Sequence, residues 1–382
     1  MEFIDLKTQY GRLKAQVQDR INQVLQHGKF IMGPEVEELE RKLAAFVGVR
    51  HCVSCANGTD ALLLSLMAHD IGPGDAVFTT PFTFIATAEV VCLLGATPVF
   101  VDINADTYNI DPEKLERTIM EMRNGVGRAA SGSKKLTPKA IIPVDVFGLP
   151  ADYDTINRIA KAEGLFVLGD AAQSLGGSYR GKKVGGLTDI TTTSFFPAKP
   201  LGGYGDGGAI FTSDETIAQG LRSRREHGKG SHKYDNVRIG INGRLDTLQA
   251  AILLAKLEIF EDEIKRRQEV SMKYSLALNK FLKVPYVPDG LSSAWAQYSV
   301  VTEQREFYLN ALKEQGIPTA IYYPRPLHLQ TAFGYLGYKR GDFPVAEGIS
   351  ETIFSLPMHP YLNEADQSRI IEAVQNAYEA VA

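Results

Sequence analysis

One lysine in the stretch SFFPAKPLGGYGDGGA has a setting that suggests chemistry. Lys199 lies between Pro197 and Pro200, and glycine fills five of the seven positions from 202 to 208. Proline fixes the backbone angle φ whereas glycine permits most values, so this segment constrains where the amine lies. A lysine desolvated by its surroundings has a lowered pKa and can form a Schiff base. We therefore interpret Lys199 as a candidate nucleophile rather than as an ordinary surface lysine.

Two further groups match the same chemistry. The stretch ANGTDALLL is typical of a strand–turn–helix junction, in which amides near Gly58 and Thr59 would favour a dianionic phosphate. Asp170 ends the apolar strand LFVLGD, where a buried carboxylate needs a partner. Each group has an ordinary alternative, because either segment could serve only as a helix cap. Together with Lys199 they are the parts needed to hold pyridoxal phosphate (PLP).

Alternating apolar strands and helices must position these groups. HCVSCA, DAVFTT, TPVFVDI and KAIIPVDVFG each precede a helical pattern, and LFVLGD follows the last helix. This order predicts an α/β domain whose mainly parallel sheet is covered on both faces and binds ligands at the carboxyl ends of its strands. Residues 11–46 are expected to be helical. A long helical pattern from residue 246 is expected to join a large domain over 1–250 to a smaller α+β domain over 251–382.

Composition excludes several classes of protein. The 382 residues are 44% hydrophobic and 23% charged, which are ordinary globular values, and the formal net charge of −4 argues against nucleic-acid binding. The N-terminus lacks the apolar core of a signal peptide and no apolar run approaches ~20 residues, so we expect a cytoplasmic protein without a membrane span. Cys52 and Cys55 are expected to be buried structural thiols, and no metal site is expected.

The chain resembles the DegT/DnrJ/EryC1/StrS family of PLP-dependent sugar aminotransferases, which have the type I aspartate aminotransferase fold. The resemblance rests on GPEVEELE, NGTDAL, DAAQS, SFFPAKPLGGYGDGGA, NGRLDTLQAA and YYPRPLH, which occur in the family's order. Within the family the chain is most similar to enzymes that aminate the 3-oxo group of UDP-linked 2-acetamido-2-deoxy-hexuronic acid. The resemblance implies a mostly parallel mixed sheet in a large PLP domain. It also implies transfer of the amine of L-glutamate to a nucleotide-linked keto sugar for O-antigen or another surface polysaccharide.

The resemblance also implies a role for each site residue. Lys199 would form the Schiff base and move a proton, Asp170 would pair with the pyridine nitrogen, and Gln173 would contact the ring hydroxyl. Phe84 would stack on the ring, with a core aromatic as the alternative. The other residues would bind the phosphate from the same chain (Gly58, Thr59, Ser194), bind the phosphate from the partner of a homodimer (Asn242), or face the sugar nucleotide from that partner (Arg244, Tyr322, Tyr323).

Several alternatives stay open at this level. The acceptor could be a 4-keto-6-deoxy sugar nucleotide, and the nucleotide could be UDP, dTDP or GDP. An enzyme of the same fold acting on small amino acids would need a carboxylate clamp, which Arg325 could supply. Two further alternatives are disfavoured. A sugar-nucleotide sensor without turnover would show erosion of the cofactor residues, which this chain does not show, and a dehydratase of the family would have histidine in place of Lys199. The loop over 123–139 has no assigned role, and the basic stretch RSRREHGKGSHK could bind a diphosphate or be solvated.

Overall fold

The computed structural model describes residues 1–126, 136–232 and 234–381. Its strands, in chain order, are β1 (His51–Cys55), β2 (Asp75–Thr79), β3 (Thr97–Phe100), β4 (Thr137–Ile142), β5 (Phe166–Asp170), β6 (Ser178–Tyr179), β7 (Lys182–Lys183), β8 (Ile190–Ser194), β9 (Gly208–Thr212), β10 (Leu291–Ser292), β11 (Tyr298–Val301) and β12 (Ile353–Leu356). Its α-helices are α1 (Leu6–His27), α2 (Pro34–Val47), α3 (Gly58–Ala68), α4 (Ala86–Leu93), α5 (Pro112–Arg123), α6 (Tyr153–Glu163), α7 (Glu215–Arg225), α8 (Thr247–Leu257), α9 (Phe260–Leu278), α10 (Arg305–Glu314), α11 (Pro344–Thr352) and α12 (Glu364–Glu379).

The main sheet has seven strands in the order β1-β9-β8-β5-β4-β2-β3. β8, β5, β4, β2 and β3 pair in parallel, whereas β9 is antiparallel to both of its neighbours. Apolar side chains of the strands pack against helices on both faces, which accounts for their nearly continuous apolar sequences. The predicted mostly parallel mixed sheet is thus confirmed.

Three predicted segments differ from the observed elements in extent. The helix expected over 11–46 is two helices, because α1 ends at His27 and the N–H of Gly28 closes it on the carbonyl of Val24. The long helix expected from residue 246 is also two, α8 and α9, separated by a turn in which Ile259 N donates to Lys256 O. The loop expected over 123–139 is shorter, since β4 begins at Thr137 and pairs with β2. Residues 127–135 of that loop lie outside the described residues.

The C-terminal residues build a core of their own. β11 and β12 form an antiparallel pair, and apolar residues of α9, α10 and α12 pack around it. α8 packs instead with α1 and α2, and Phe260 at the start of α9 still belongs to the core beside the main sheet. The domain boundary at 250/251 stays a prediction. Because that boundary would cut α8, we propose that the two parts divide along α9.

Both cysteines of the HCVSC motif lie on β1 and are buried. Burial raises the pKa of the Cys52 and Cys55 thiols, which favours the neutral, unreactive form. In the part of the chain that the structure describes, no helix is both long and apolar enough to cross a membrane.

Candidate active site

A cavity of about 390 Å³ lies at the carboxyl ends of β5 and β8, beside the N-terminus of α3. This is the volume expected of a small-molecule site, in the place where open α/β sheets bind ligands. Nine of the eleven sequence-predicted site residues line it: Gly58, Thr59, Phe84, Asp170, Gln173, Ser194, Lys199, Tyr322 and Tyr323.

Lys199 extends into this cavity from the turn between β8 and β9. Its backbone N–H donates to the carbonyl of Phe196 at 2.8 Å. A Cβ atom at Gly202 would lie 2.4 Å from the carbonyl oxygen of Pro197, so only glycine permits this tight turn. The amine makes no hydrogen bond or ion pair with a described residue, and burial lowers its pKa against the opposing charge of Asp170. The turn therefore presents an unpaired amine that can act as a nucleophile.

Asp170 is a buried carboxylate at the end of β5, with 5% of its surface exposed. The Thr87 hydroxyl donates to its Oδ2 at 2.8 Å, and Ala172 N donates to its Oδ1 at 3.2 Å. Burial raises the pKa of this carboxyl, while the two hydrogen bonds and the Lys199 charge oppose that rise. A turn rather than a helix follows β5, so the helix-cap alternative for Asp170 is wrong. The carboxylate instead lines the cavity and is suited to pair with a cationic ring nitrogen.

The start of α3 forms a cradle for an anion. The Asn57 side chain accepts a hydrogen bond from the backbone N–H of Asp60 at 2.7 Å. The backbone N–H groups of Gly58 and Thr59 have no acceptor within the helix, because they lie in its first turn. A Cβ atom at Gly58 would lie 2.8 Å from Cβ of Ser194, so glycine is required for α3 to start this close to the end of β8. Capping by the Asn57 side chain is therefore compatible with anion binding here, since different groups would perform the two roles.

Gln173 is held from two sides of the cavity. Its Oε1 accepts the N–H of Phe147 at 2.7 Å, and its Nε2 donates to the Tyr323 hydroxyl at 2.9 Å. Burial raises the pKa of Tyr323, so this phenol stays neutral and able to donate its own proton. The amide and the phenol thus form one polar wall of the cavity.

The expectation that Tyr322 and Tyr323 come from a partner subunit is wrong for the cavity described here. Both line the cavity of their own chain. The reason lies in the segment that follows them, because Leu327 N donates to the carbonyl of Pro81 at 2.8 Å and folds the segment back over its own sheet.

Phe84 also lines the cavity, as do residues that the sequence did not predict, among them Thr87 and Gln297. Phe84 is 58% exposed and faces the cavity, so the core-aromatic alternative is wrong. Thr87 was missed, although Thr83 and Thr87 stand four apart in TFIATAE, and their hydroxyls lie 3.1 Å from each other. Gln297 was also missed, and its buried Oε1 has no hydrogen-bond partner in the described part of the chain. No local pattern marks Gln297, since packing of the C-terminal part alone brings it here.

Asn242 and Arg244 do not line this cavity. Asn242 is exposed, and its Oδ1 accepts a hydrogen bond from Nη2 of Arg244 at 2.6 Å. The Arg244 Nε is buried without a partner among the described residues. The two side chains therefore form one polar unit outside their own chain's site.

Two other basic candidates lie apart from the cavity as well. Arg325 is exposed and does not line it, which disfavours a clamp for small amino acids in the same chain. In the basic stretch, Arg225 is buried and pairs with Glu40 at 2.6 Å, so that residue is structural. Lys233 of the same stretch lies outside the described residues.

Similarity to known proteins agrees with this site. The family model of the DegT/DnrJ/EryC1/StrS aminotransferases matches residues 12–375. A UDP-2-acetamido-2-deoxy-3-oxo-D-glucuronate aminotransferase of Pseudomonas aeruginosa is 48% identical over 98% of this chain and 100% of its own. A crystal structure of a DegT DnrJ EryC1 StrS aminotransferase from Brucella abortus has 51% identity and a TM-score of 0.95, covering 99% of each chain. A putative sugar aminotransferase from Streptococcus pneumoniae in its PLP form has 26% identity and a TM-score of 0.86, covering 96% of this chain and 97% of its own.

The fold and the site are those of a PLP-dependent transaminase of the aspartate aminotransferase type. The chain belongs to the DegT/DnrJ/EryC1/StrS aminotransferase family. Its residues fit the cofactor, because one cavity contains the unpaired amine of Lys199, the buried carboxylate of Asp170 and the N-terminus of α3. At that N-terminus only glycine fits at position 58. The predicted family, enzyme class and cofactor are thereby confirmed.

Proposed function

We propose that the protein moves the amine of L-glutamate to UDP-2-acetamido-2-deoxy-3-oxo-glucuronate, for O-antigen or another surface polysaccharide. The observation that carries the transfer is the unpaired amine of Lys199 in one cavity with buried Asp170. The acceptor is proposed from similarity over the full chain to the Pseudomonas enzyme. L-Glutamate as donor and the cytoplasmic location remain predictions from the sequence.

Each residue would do a separate part of the work. PLP supplies an electron sink for the substrate carbon when bound. Gly58, Thr59 and Ser194 would hold its phosphate, and Phe84 would cover the ring face. Lys199, with its pKa lowered by burial, would take the proton from the substrate carbon and return it. Asp170 would keep the ring nitrogen protonated, because its hydrogen bonds from Thr87 and Ala172 favour the ionised carboxylate.

A second copy of the chain would complete the site. Asn242 and Arg244 do not line their own cavity, and the exposed side chains of Val237 and Ile239 precede them. Exposed apolar side chains that are close neighbours in the chain favour an interface. We propose a homodimer in which Asn242 and Arg244 reach the phosphate and the sugar nucleotide of the partner's cavity. The guanidinium can bind a diphosphate or a carboxylate with two hydrogen bonds.

The transfer is tested with purified protein, PLP, L-glutamate and the keto sugar nucleotide. We expect a visible absorption band that moves to the near-ultraviolet with L-glutamate and returns on addition of the acceptor, with the amino sugar detected by mass spectrometry. Lys199→Ala should lack both changes. A matched panel with dTDP-linked 4-keto-6-deoxy sugars tests the alternative acceptor, and preference for these would replace the proposed substrate. A protein that binds the sugar nucleotide but never exchanges the amine would support the sensor alternative.

Shared active sites are tested with mixed dimers. Lys199→Ala and Arg244→Ala chains are each expected to be nearly inactive. If sites are shared, a heterodimer of the two has one site in which both residues are intact, and it should regain about half of the wild-type activity per dimer, by counting sites. If each chain supplied its own Arg244, no intact site would exist and no activity would return.

A further inference from the structure

Asp145 is a completely buried carboxylate behind the cavity. Its Oδ1 accepts the N–H of Ala151 at 2.8 Å and the hydroxyl of Tyr153 at 2.8 Å, and its Oδ2 accepts the hydroxyl of Ser174 at 2.6 Å. No ion pair joins this side chain to a described cation. The carboxylate thus has three neutral donors and no counter-charge, which is an unusual state for a buried acid.

Its backbone is directly beside that of Asp170. Val144 forms a parallel bridge with Asp170, and Asp145 N donates to the Asp170 carbonyl at 3.1 Å. Because paired residues of neighbouring strands point to one face, Val144 and Asp170 both face the cavity, whereas Asp145 points to the other face. There it meets Tyr153 of α6. Asp145 and Asp170 are therefore two carboxylates at adjacent strand ends, one behind the other as seen from the cavity.

The titratable groups that influence Asp145 are Tyr153 of α6 and Asp170 of β5. Burial raises the pKa of Asp145 to about 7, the charge of Asp170 adds to the rise, and the hydrogen bonds from Ser174, Ala151 and Tyr153 oppose it. Burial and the charge of Asp145 in turn raise the pKa of Tyr153 well above its usual value, so this phenol remains a proton donor. The donors around Asp145 suit its ionised form, since none of them needs a proton from it.

Asp145 is also tied to the residues that surround the ring. Ser174 directly follows Gln173 in the turn after β5, and the N–H that fixes Gln173 belongs to Phe147, two residues after Asp145. The carboxylate therefore joins its own segment to the turn that carries Asp170 and Gln173, and its charge lies in a region from which water is excluded. Charges interact more strongly in such a region than in solvent.

We propose that Asp145 is a positioning residue that acts through Asp170. Its negative charge raises the proton affinity of the bound cofactor. This inference rests on the proposed function, and it goes beyond the pairing of Asp170 with the ring. It predicts that the protonation of the cofactor depends on an acid that touches neither cofactor nor substrate.

Asp145→Asn removes the charge while leaving the hydrogen bonds possible. The amide oxygen can still accept from Ala151 and Tyr153, and the Ser174 hydroxyl can rotate to accept from the amide nitrogen. The measurement is a pH titration of the PLP-loaded enzyme, and its result is the midpoint pH at which the visible absorption band shifts. We expect this midpoint to fall by roughly half a pH unit to one unit, because a cationic group loses a nearby negative charge.

Two comparisons separate this effect from simple disturbance of the fold. Asp102 is the control, since it is also a buried carboxylate just beyond a strand end and accepts N–H groups of Val345 and Ala346. Unlike Asp145 it has a counter-charge, Lys114 at 3.1 Å, and no hydrogen bond to Asp170. Asp102→Asn should leave the midpoint unchanged. Ser174→Ala removes one hydrogen bond and keeps the Asp145 charge, so it should not produce the full shift.

An unchanged midpoint in loaded Asp145→Asn overturns the proposal, as does an equal fall in Asp102→Asn. If Asp145→Asn does not fold or load, Tyr153→Phe decides instead. Loss of this donor raises the Asp145 pKa, so the residue carries less negative charge. The midpoint of the visible band should then fall, by less than in Asp145→Asn, and an unchanged midpoint overturns the proposal. A wild-type protein that forms no visible band with PLP would refute the proposed function and not this inference alone.

Discussion

The Lys256 ammonium donates to the carbonyl oxygen of Gly202 at 2.6 Å, which ties α8 to the turn that carries Lys199. Lys256 is 1% exposed, and its Nζ lies 4.4 Å from the centre of the Tyr204 ring. Gln249, also on α8, accepts the N–H of Tyr204 at 2.9 Å. One helix therefore holds the nucleophile's turn at two points.

Lys256 should make stability depend on pH. Burial lowers its pKa from 10.5 to about 8. Between pH 8 and 10.5 the unfolded chain would bind more protons at this residue, so stability should rise with pH in that window. We expect the free energy of unfolding of the wild type, relative to Lys256→Gln, to rise by about 3 kcal/mol from pH 7 to 10.5. Urea titrations across this range measure it, and a constant difference would contradict the lowered pKa.

Local sequence was enough to find the chemical groups whose geometry is local. Lys199 stands between prolines, and the glycines after it are required by contacts such as that of Gly202 with the Pro197 carbonyl. Gly58 likewise sits at a strand–helix junction that the alternation of apolar and polar residues defines. These positions could be predicted because the constraint and the residue that meets it are neighbours in the chain.

Thr87 should support the ionised state of Asp170. Thr87→Val keeps the shape of the side chain but removes the donor to Oδ2, so the pKa of the buried carboxyl should rise further. Hydrogen bonds to charged groups contribute about 1.5–3 kcal/mol, and we expect PLP to bind roughly 10- to 100-fold more weakly. Equilibrium titration of the apoenzyme with PLP measures this. Thr83→Val is the matched control, because the Thr83 hydroxyl contacts Thr87 and not Asp170, and an equal loss there would argue against the assigned role.

Contacts between segments that are distant in the chain could not be predicted from the sequence. The family resemblance assigned Tyr322 and Tyr323 to a partner's site, and nothing nearby in the chain shows that Leu327 is hydrogen-bonded to Pro81. The break between α8 and α9 has a similar origin, since the apolar pattern continues through it while the packing partner changes from α1 and α2 to the C-terminal core. In both cases the structure is determined by tertiary packing, which the periodicity of the sequence does not reveal.

Gly58 should be needed for the phosphate cradle rather than for the fold. In Gly58→Ala the new Cβ would lie 2.8 Å from Cβ of Ser194, and the start of α3 must move away from the end of β8. Overpacking of this kind costs about 1–3 kcal/mol, so we expect PLP affinity to fall by roughly 5- to 150-fold. Gly11→Ala on α1, where nothing lies within 4 Å of the added Cβ, should keep wild-type affinity. Dialysis against PLP compares the two, and full affinity in Gly58→Ala would exclude the cradle.

Gln297 should recognise the sugar nucleotide. Its Oε1 is buried at the cavity wall without a partner among the described residues, and buried polar atoms in native proteins are nearly always hydrogen-bonded. A donor group on the bound acceptor would satisfy it. Gln297→Leu should therefore raise KM for the acceptor by about tenfold, from the loss of roughly one hydrogen bond, and leave the rate of the L-glutamate half-reaction unchanged. Gln367 is the matched control, because it is buried and donates to the Val270 carbonyl away from the cavity. Gln367→Leu should lower stability without changing KM, whereas equal effects of Gln297→Leu on both half-reactions would mean that Gln297 only supports the fold.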